Sequence, residues 1–233
     1  MKRSPDEWRK ICEKITVGYI PGGNKLNTYD TGVFLVEKSI MPSVPIPWFL
    51  GVHNIVDLGC GNGRIEMGLA ELLNDHVSVL GYDIFRDSIE FCKKAFLDYP
   101  NFKFHYMNII NSHYNPKGKI YPEEMEILVP SEVTDLVIAN SLFSHIAPED
   151  AVINIMGEIK RIMKPGGYLY STWFTVPPEE KFSRNEARVV WSEDYVLDEV
   201  IPEDFEIIRN FVPSLSIGGG QRLIVARKPL IGR

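Results

Sequence analysis

The feature that most constrains this fold is an alternation of short apolar runs with longer amphipathic segments, beginning near residue 53. The apolar runs have the length of buried strands, and the segments between them carry apolar residues at helical spacing. The alternation predicts an α/β protein with a doubly wound, mostly parallel sheet and helices on both faces. In chain order, the predicted strands are HNIVDL, VSVLGYD, FKFHYMNI, TDLVIAN and GGYLYSTWF.

Two more apolar runs, FEIIRNFV and RLIVARK, close the chain and are separated by only a short turn region. We expect them to form an antiparallel pair of strands. Sheets of this class bind ligands at the carboxyl ends of their strands, beside the switch point of the strand order. The residues that follow each predicted strand are therefore the first candidates for function.

A length of 233 residues suits a single domain, which we predict over residues 1–233. The cofactor-binding core is assigned to residues 51–233, and the N-terminal residues 1–50 are assigned to a lid over the substrate. Residues 5–15 are predicted to be helical, with Ser4 as the N-cap. The stretch that follows, YIPGGNKLNTYDTG, is rich in Gly, Asn and aromatic residues and is predicted to be a loop.

Composition narrows the possible partners and the compartment. The net charge is −6, whereas a nucleic-acid backbone calls for basic patches, so no nucleic acid is expected as a partner. The three cysteines are far apart and lack CxxC spacing, which argues against disulfides and zinc and for reduced thiols in a cytoplasmic protein. The N-terminus has no apolar signal segment, and no window is apolar enough to span a membrane, so no membrane partner is expected.

The stretch IVDLGCGNGR places three glycines between a predicted strand and a predicted helix. Glycine lets a ligand approach the backbone closely, although a purely structural turn is the alternative. A dinucleotide fingerprint, G-x-G-x-x-G, would need a third glycine where Arg64 stands. The acidic Asp57 just before the loop is a poor neighbour for pyrophosphate and a good one for an ammonium group. The loop residues predicted to bind a cofactor are Gly59, Cys60, Gly61 and Gly63.

The next two strands also end in polar residues. Asp83 follows the second strand at a spacing that suits a carboxylate on ribose hydroxyls, the alternative being a cap on the next helix. Asn108 follows the third strand and offers the donor and acceptor that an adenine edge needs, the alternative being an ordinary turn residue. Ile84 and Ile109 are included with them as cofactor contacts. Together these residues describe a ligand with adenine, ribose and a charged amino-acid end, without phosphates.

In order and spacing, the segments VDLGCGNGR, GYDIF, MNI, DLVIANSLFSHI and MKPGGYLYST resemble the motifs of the class I S-adenosylmethionine-dependent methyltransferases. The resemblance covers roughly residues 53–174 and implies a seven-stranded sheet whose last strand is antiparallel. It implies S-adenosyl-L-methionine as cofactor and S-adenosyl-L-homocysteine as product, with Asp57 near the amino group, Asp83 on the ribose and Asn108 near the adenine. The family often has Asp in the third motif, so the Asn108 contact departs from its pattern.

After the fourth strand, Asn140, Ser141 and Leu142 are predicted to line the cofactor cleft. His145 is the candidate general base, because histidine titrates near neutrality; the alternative is a structural histidine bonded to a neighbouring loop. An apolar substrate wall is expected from four aromatic residues, each of which could instead be ordinary core or surface: Tyr19, Tyr29, Trp173 and Phe174. Arg184 and Arg188 would share a face if they lay on a helix, and could grip an acidic acceptor or pair with nearby acids.

No cluster of acids follows the fourth strand, so no metal is predicted. The expected function is methyl transfer to a small-molecule acceptor, with oxygen favoured over nitrogen because of His145, and a sugar or natural-product intermediate as a possible acceptor. Three alternatives stay open: a protein or RNA methyltransferase, a non-catalytic cofactor-binding module, and a nicotinamide-dependent oxidoreductase. The acceptor and the oligomeric state do not follow from the sequence.

Overall fold

The computed structural model describes residues 2–16, 18, 23–47, 51–146, 149–176, 182–184, 189–213 and 220–230. Seven strands form one sheet, with one strand antiparallel to its neighbours and the other six parallel. From one edge to the other they are β3 (Phe102–Tyr106), β2 (Ser78–Asp83), β1 (Asn54–Leu58), β4 (Thr134–Ala139), β5 (Met163–Trp173), the antiparallel β10 (Arg222–Arg227) and β9 (Glu206–Phe211). This confirms the predicted fold class. The chain separates into two compact units, residues 1–107 and 108–233. The single-domain assignment stays a prediction.

The first unit holds three strands of the sheet, and its strands pair in parallel, β1 with β2 and β2 with β3. Around them lie the helices of the N-terminal half, together with a π-helical stretch at Val36–Ile40. The bounds are α1 Pro5–Cys12, α2 Asn27–Leu35, α3 Met41–Ser43, β1 Asn54–Leu58, α4 Arg64–Leu72, β2 Ser78–Asp83, α5 Arg86–Ala95 and β3 Phe102–Tyr106.

Helix α1 begins where the sequence predicts. The Ser4 hydroxyl accepts a hydrogen bond from the Glu7 backbone N–H, and the Glu7 carboxylate accepts one from the Ser4 N–H at 2.7 Å, which is a capping box. The helix buries Trp8, whose ring packs at centroid distances of 5.0 Å from Phe96 and 5.5 Å from Tyr99. Residues of the N-terminal segment therefore belong to the core of the first unit.

Helix α2 corrects part of the loop prediction. It begins at Asn27, inside the stretch predicted to be a loop, although no side chain caps its N-terminus. Its helical state depends on packing, because α2 crosses α4 where both helices carry glycine. A Cβ on Gly32 would stand 1.9 Å from the Arg64 carbonyl oxygen, and one on Gly68 would stand 2.5 Å from the Gly32 carbonyl oxygen.

The second unit holds the other four strands of the large sheet and a small sheet of order β6-β8-β7. Strand β4 pairs in parallel with β5, and β10 pairs antiparallel with β5 and β9, as expected for the closing strands. The bounds are β4 Thr134–Ala139, α6 Glu149–Ile162, β5 Met163–Trp173, β6 Thr175–Val176, β7 Phe182–Arg184, β8 Val189–Ser192, α7 Glu193–Tyr195, β9 Glu206–Phe211 and β10 Arg222–Arg227. Short 3-10 turns lie at Pro122–Glu124 and Phe143–His145, and a π-helical stretch lies at Val196–Val200.

Among the residues that the structure describes, no helix combines the length and the apolar character needed to cross a bilayer. No group of three or more of their His, Cys, Asp and Glu side chains is arranged to hold a metal ion.

Candidate functional site

The glycine loop joins β1 to α4 and has a backbone that only glycine adopts readily. Gly59, Gly61 and Gly63 have φ angles of 80°, 54° and 73°. Among the described residues other than its chain neighbours, none would lie within 4 Å of a Cβ added at Gly61. At Gly61 the loop therefore presents bare backbone, as a binding surface for a closely approaching ligand requires.

Strand β2 holds this loop in place. The backbone N–H groups of Gly59 and Cys60 both donate to the Tyr82 carbonyl oxygen, at 2.8 and 3.1 Å. The Gly61 N–H donates to the Asp83 carboxylate at 2.8 Å. The loop conformation is thus fixed by the end of β2 before any ligand binds.

Asp83 links the loop to the start of α5. Its second carboxylate oxygen accepts from the Phe85 N–H at 2.7 Å. Burial raises the pKa of this carboxyl, and the backbone donors Phe85, Gly61 and Ile84 oppose the rise. Helix α5 has no side-chain cap, so capping does not explain Asp83. Each of the two Asp83 carboxylate oxygens has a second lone pair, which can accept a hydrogen bond from a ribose hydroxyl.

Beneath the loop, Asp57 lies against a second carboxyl group, that of Glu66 on α4. The two residues are 1% and 0% exposed. Apart from the Glu66 backbone N–H and a proton on either carboxyl itself, no N–H or O–H group of the described residues donates to their four carboxyl oxygens. The two groups lie within hydrogen-bonding reach of each other, so a proton on one is the donor for the other.

The titration of this pair follows from its burial. Burial raises the pKa of Asp57 to about 7, and a hydrogen bond from Glu66 partly offsets the rise. Burial and the neighbouring charge of Asp57 raise the pKa of Glu66 well above its usual range. The pair therefore keeps a proton near neutral pH. The sequence analysis missed Glu66, although it stands three and four residues from apolar Leu69 and Ala70, on an apolar helix face.

All three cysteines of the chain are buried thiols. Cys60 and Cys92 both approach the Gly61 carbonyl oxygen, with Sγ–O distances of 3.9 and 3.4 Å. Burial raises the pKa of the Cys60 thiol well above its usual range. Cys12 lies apart, 3.7 Å from the Met67 sulfur, and burial raises its pKa to about 11.

In the second unit, the residues after β3 are covered by the insertion that follows them. The Asn108 carbonyl oxygen accepts from the backbone N–H groups of Lys119 and Ile120, at 2.8 and 3.0 Å. Ile109 is buried, and its carbonyl oxygen accepts from the Asn115 side chain at 2.8 Å. These hydrogen bonds hold the insertion against residues 108–109, which follow the third strand.

The residues after β4 have a strained backbone. Ser141 has a φ of 60°, which is uncommon outside glycine. Its N–H donates to the Thr172 hydroxyl at 2.7 Å, and both hydroxyls donate to the Gln221 amide oxygen, at 2.9 Å from Ser141 and 2.6 Å from Thr172. This network fixes the turn that carries the half-buried Asn140 and Leu142. Thr172 and Gln221 were not predicted from the sequence.

His145 ends the short 3-10 turn after this network and is exposed. The Tyr114 ring stands edge-on to the imidazole at 5.1 Å, and the phenol oxygen lies 3.5 Å from Nδ1. The Asn111 side chain donates to the His145 carbonyl oxygen at 3.1 Å and accepts from the Tyr114 N–H at 2.9 Å. Tyr114 lies in the polar insertion, which the sequence analysis did not connect with the site.

The predicted apolar wall is largely core. Tyr29 is 3% exposed and packs against Trp8 with a centroid distance of 6.5 Å. Trp173 is 0% exposed and stacks on Phe143 at 4.0 Å. Both are therefore core residues rather than a substrate surface. Phe174 is half-buried.

Three of the predicted substrate contacts have no described side chain. Tyr19 and Arg188 lie outside the described residues. Arg184 lies in strand β7. The condition under which Arg184 and Arg188 would share a face, that both lie on a helix, is therefore not met.

The structure groups the predicted residues by unit. The first unit brings Asp57 and the glycine loop together with Asp83, and the second brings Ser141 into one network beside Leu142 and His145. Their roles toward a cofactor remain predictions. The geometry offers bare backbone at Gly61, two adjacent buried carboxyls to which no cationic group of the described residues donates, and an exposed imidazole.

A family model described as a methyltransferase domain matches residues 52–200. Arsenite methyltransferase from Aquipseudomonas alcaligenes is 31% identical over 125 residues, which is 53% of this chain and 33% of that protein. The chain spans about a third of the length of the curated relatives it matches.

Solved structures agree on the fold. An S-adenosylmethionine-dependent methyltransferase from Aquifex aeolicus superposes with a TM-score of 0.57 at 16% identity, covering 97% of this chain and 99% of that one. The 1,6-didemethyltoxoflavin-N1-methyltransferase of Burkholderia thailandensis gives 0.60 at 13% identity, covering 97% and 91%. At these identities the likeness shows the fold alone. The family model covers most of the chain, including the motifs that were identified in the sequence. This chain therefore belongs to the class I S-adenosylmethionine-dependent methyltransferases.

Proposed function

We propose that this protein transfers a methyl group from S-adenosylmethionine to a hydroxyl oxygen of a small-molecule acceptor. The observation that carries the choice of oxygen is His145, an exposed residue whose backbone carbonyl accepts from Asn111 and whose imidazole is faced by Tyr114. A hydroxyl must lose its proton on methylation, and imidazole accepts a proton near neutral pH. A fixed imidazole is therefore the group such an acceptor needs.

The first unit fits the cofactor. Open space at Gly61 admits a ligand against the backbone, and the two buried carboxyls lack the cationic donors that an amino group would supply. Asp83, which is anchored by two backbone N–H groups, holds a carboxylate ready for ribose hydroxyls. When bound, S-adenosylmethionine supplies a methyl group activated by the positive charge of its sulfur.

The proposed work of His145 is proton removal. As the acceptor oxygen bonds to the methyl carbon, the carbon–sulfur bond breaks and its electron pair stays on sulfur. The hydroxyl proton passes to Nε2 of His145, while Tyr114 lies at the Nδ1 edge and sets the ring orientation. The proton is then returned to water.

Arsenite is a separate candidate acceptor, because it is named in the relatives. A thiophilic acceptor of this kind is best held by accessible thiolates. All three cysteines here are buried, and the pKa values of Cys12 and Cys60 are raised by burial. The thiols therefore do not favour arsenite over an oxygen acceptor.

The test is an acceptor screen that compares hydroxyl compounds, amines and arsenite, with wild type and His145→Gln. We expect turnover with a hydroxyl acceptor, and His145→Gln should lower kcat by roughly 10²–10⁴-fold. Tyr114→Phe, which keeps the ring and removes the hydroxyl, should have a smaller effect. His113→Gln is the matched control, since His113 is an exposed neighbour in the same insertion.

Three results would contradict this function. An amine or arsenite as the preferred acceptor would refute the choice of oxygen. An unchanged kcat in His145→Gln would refute the proposed base. Cofactor binding without turnover of any acceptor class would favour the non-catalytic module instead.

A further inference from the structure

Beneath the glycine loop, Glu66 is fully buried on α4 and lies beside Gly81, the residue of β2 that pairs with Asp57 in the sheet. A Cβ at Gly81 would stand 2.9 Å from Glu66 Oε1 and 3.0 Å from Cys60 Sγ. The position of Glu66 next to Asp57 therefore depends on a specific small residue.

Stability alone does not account for this arrangement. Burying a carboxyl without protein donors costs free energy, and apolar residues of similar volume are usually as good or better in such places. What the pair provides is a proton-holding group directly under the loop. If Glu66 is neutral, its O–H is the donor that the buried Asp57 carboxylate otherwise lacks.

We propose that Glu66 is a positioning residue of the cofactor site, a neutral carboxyl that donates a hydrogen bond to Asp57 so that Asp57 offers one negative charge to the amino end of the cofactor. The inference rests on the proposed function, in which Asp57 serves that amino group. Cofactor binding then releases the proton that Asp57 carries in acid. The proton passes to solvent, and Glu66 keeps its own.

The surrounding groups set how easily Asp57 ionises. Burial and the nearby charge of Asp83 hold its pKa up, while the hydrogen bond from Glu66 and the charge of Arg64 lower it. Two buried thiols, Cys60 in the loop and Cys92 on α5, lie close enough to Glu66 to interact with it electrostatically. The balance brings the pKa of Asp57 to about 7, inside the range in which binding can be measured.

The direction of the pH effect follows from linkage. A cationic amino group binds the ionised pair better than the fully protonated one, so affinity should rise with pH and level off above about 7. If the fully protonated pair does not bind, the dissociation constant should be about tenfold larger near pH 6 than near pH 8.

The test measures binding of S-adenosylhomocysteine by calorimetry between about pH 6 and pH 8.5, in two buffers of different ionisation enthalpy. This probe keeps the amino end and cannot react. We expect release of close to one proton near pH 6. Adenosine, which lacks the amino end, should bind with little pH dependence and release no proton.

Three variants separate the roles of the two carboxyls. Glu66→Gln keeps a donor toward Asp57 and should preserve both affinity and pH profile. Glu66→Met removes the donor, so binding should weaken roughly tenfold or more at neutral pH and the profile should move to higher pH. Asp57→Asn should bind weakly with a flat profile. The exposed Glu90→Gln is the control and should behave as wild type.

Each outcome decides something. Loss of affinity in Glu66→Gln would show that Glu66 acts as a charged carboxylate and would overturn the proposal. A flat profile in wild type, or the same profile with adenosine, would also overturn it, even if Glu66→Met failed to fold. No binding of S-adenosylhomocysteine at any pH would refute the cofactor assignment, whereas binding without pH dependence would refute only the role of Glu66.

Discussion

At the scale of single residues, this protein buries ionisable groups in its first unit and has a strained backbone position in its second. Asp57 and Glu66 are buried carboxyls, and Ser141 has an unfavourable backbone conformation. Strain of this kind persists only where surrounding contacts enforce it, and it tends to occur at functional sites. The buried carboxyls and the strained Ser141 backbone each lead to a prediction about stability that does not depend on knowing the acceptor.

The Asp57 carboxyl should make stability fall with rising pH. Its pKa is raised on folding, so its contribution is fully present below about 3.8 and is lost as pH rises through about 7. Asp57→Asn removes the buried charge. Between about pH 5 and pH 8, the free energy of unfolding of the variant should therefore rise by roughly 1–3 kcal/mol relative to that of wild type. Urea unfolding at the two pH values measures this difference.

The exposed Asp75→Asn is the matched control and should track wild type at both pH values. A variant Asp57→Asn that is less stable than wild type by the same amount at both pH values would show that Asp57 is ionised throughout. The titration described for the buried pair would then be wrong.

The Ser141 network should respond differently to two substitutions. Ser141→Ala keeps the strained φ and removes the hydroxyl from Gln221, so it should cost roughly 1–2 kcal/mol in the free energy of unfolding. Ser141→Gly also loses the hydroxyl but relieves the backbone, so it should cost less. Thermal unfolding of both variants tests this order, and a Gly variant less stable than the Ala variant would contradict it.

At the scale of elements, the close crossing of α2 and α4 is the packing feature most sensitive to one methyl group. Gly32→Ala would place a Cβ 1.9 Å from the Arg64 carbonyl oxygen, so the helices must separate at a cost of roughly 1–3 kcal/mol. Gly157→Ala on α6 is the matched control, because no described residue beyond its own helix turn lies within 4 Å of a Cβ there. It should stabilise the protein by up to about 1 kcal/mol.

Chemical denaturation of both variants decides the point. If Gly32→Ala were as stable as wild type, the glycine crossing would not be what holds α2 against α4. The contrast with Gly157→Ala separates this steric effect from helix propensity, since propensity favours alanine at both positions.

Local sequence signals predicted some elements well and others poorly. The Ser4 capping box and the strand that ends at Leu58 are set by neighbouring residues, and both were predicted. Helix α2 was partly assigned to a loop because its start lacks a cap and its stability comes from contact with α4. The partnership of Glu66 with Asp57 spans a strand, a loop and a helix, so it emerges only when these elements pack.

The same limit explains the aromatic residues. Tyr29 and Trp173 look alike in sequence whether they face a substrate or a core, and the structure shows both in the core. Tyr114 lies in an irregular insertion whose fold depends on backbone contacts with Asn108 and Ile109. No periodicity in that segment indicates that it reaches His145.

At the scale of the whole molecule, family membership and fold are shown, and the central functional claim is that the glycine loop serves S-adenosylmethionine. The family model covers residues 52–200, and the curated relatives are about three times as long as the matched part of this chain. The acceptor must therefore be found by experiment on this protein itself.

The most direct test of the central claim is thermal unfolding with S-adenosylmethionine, S-adenosylhomocysteine and NAD in parallel. A ligand at about 100 times its dissociation constant adds roughly 2.7 kcal/mol, which should raise Tm by about 5–10 °C for a protein of this size. We predict this rise with both sulfur nucleotides and none with NAD. No rise with either sulfur nucleotide, or an equal rise with NAD, would contradict the cofactor assignment and leave the glycine loop as a structural turn.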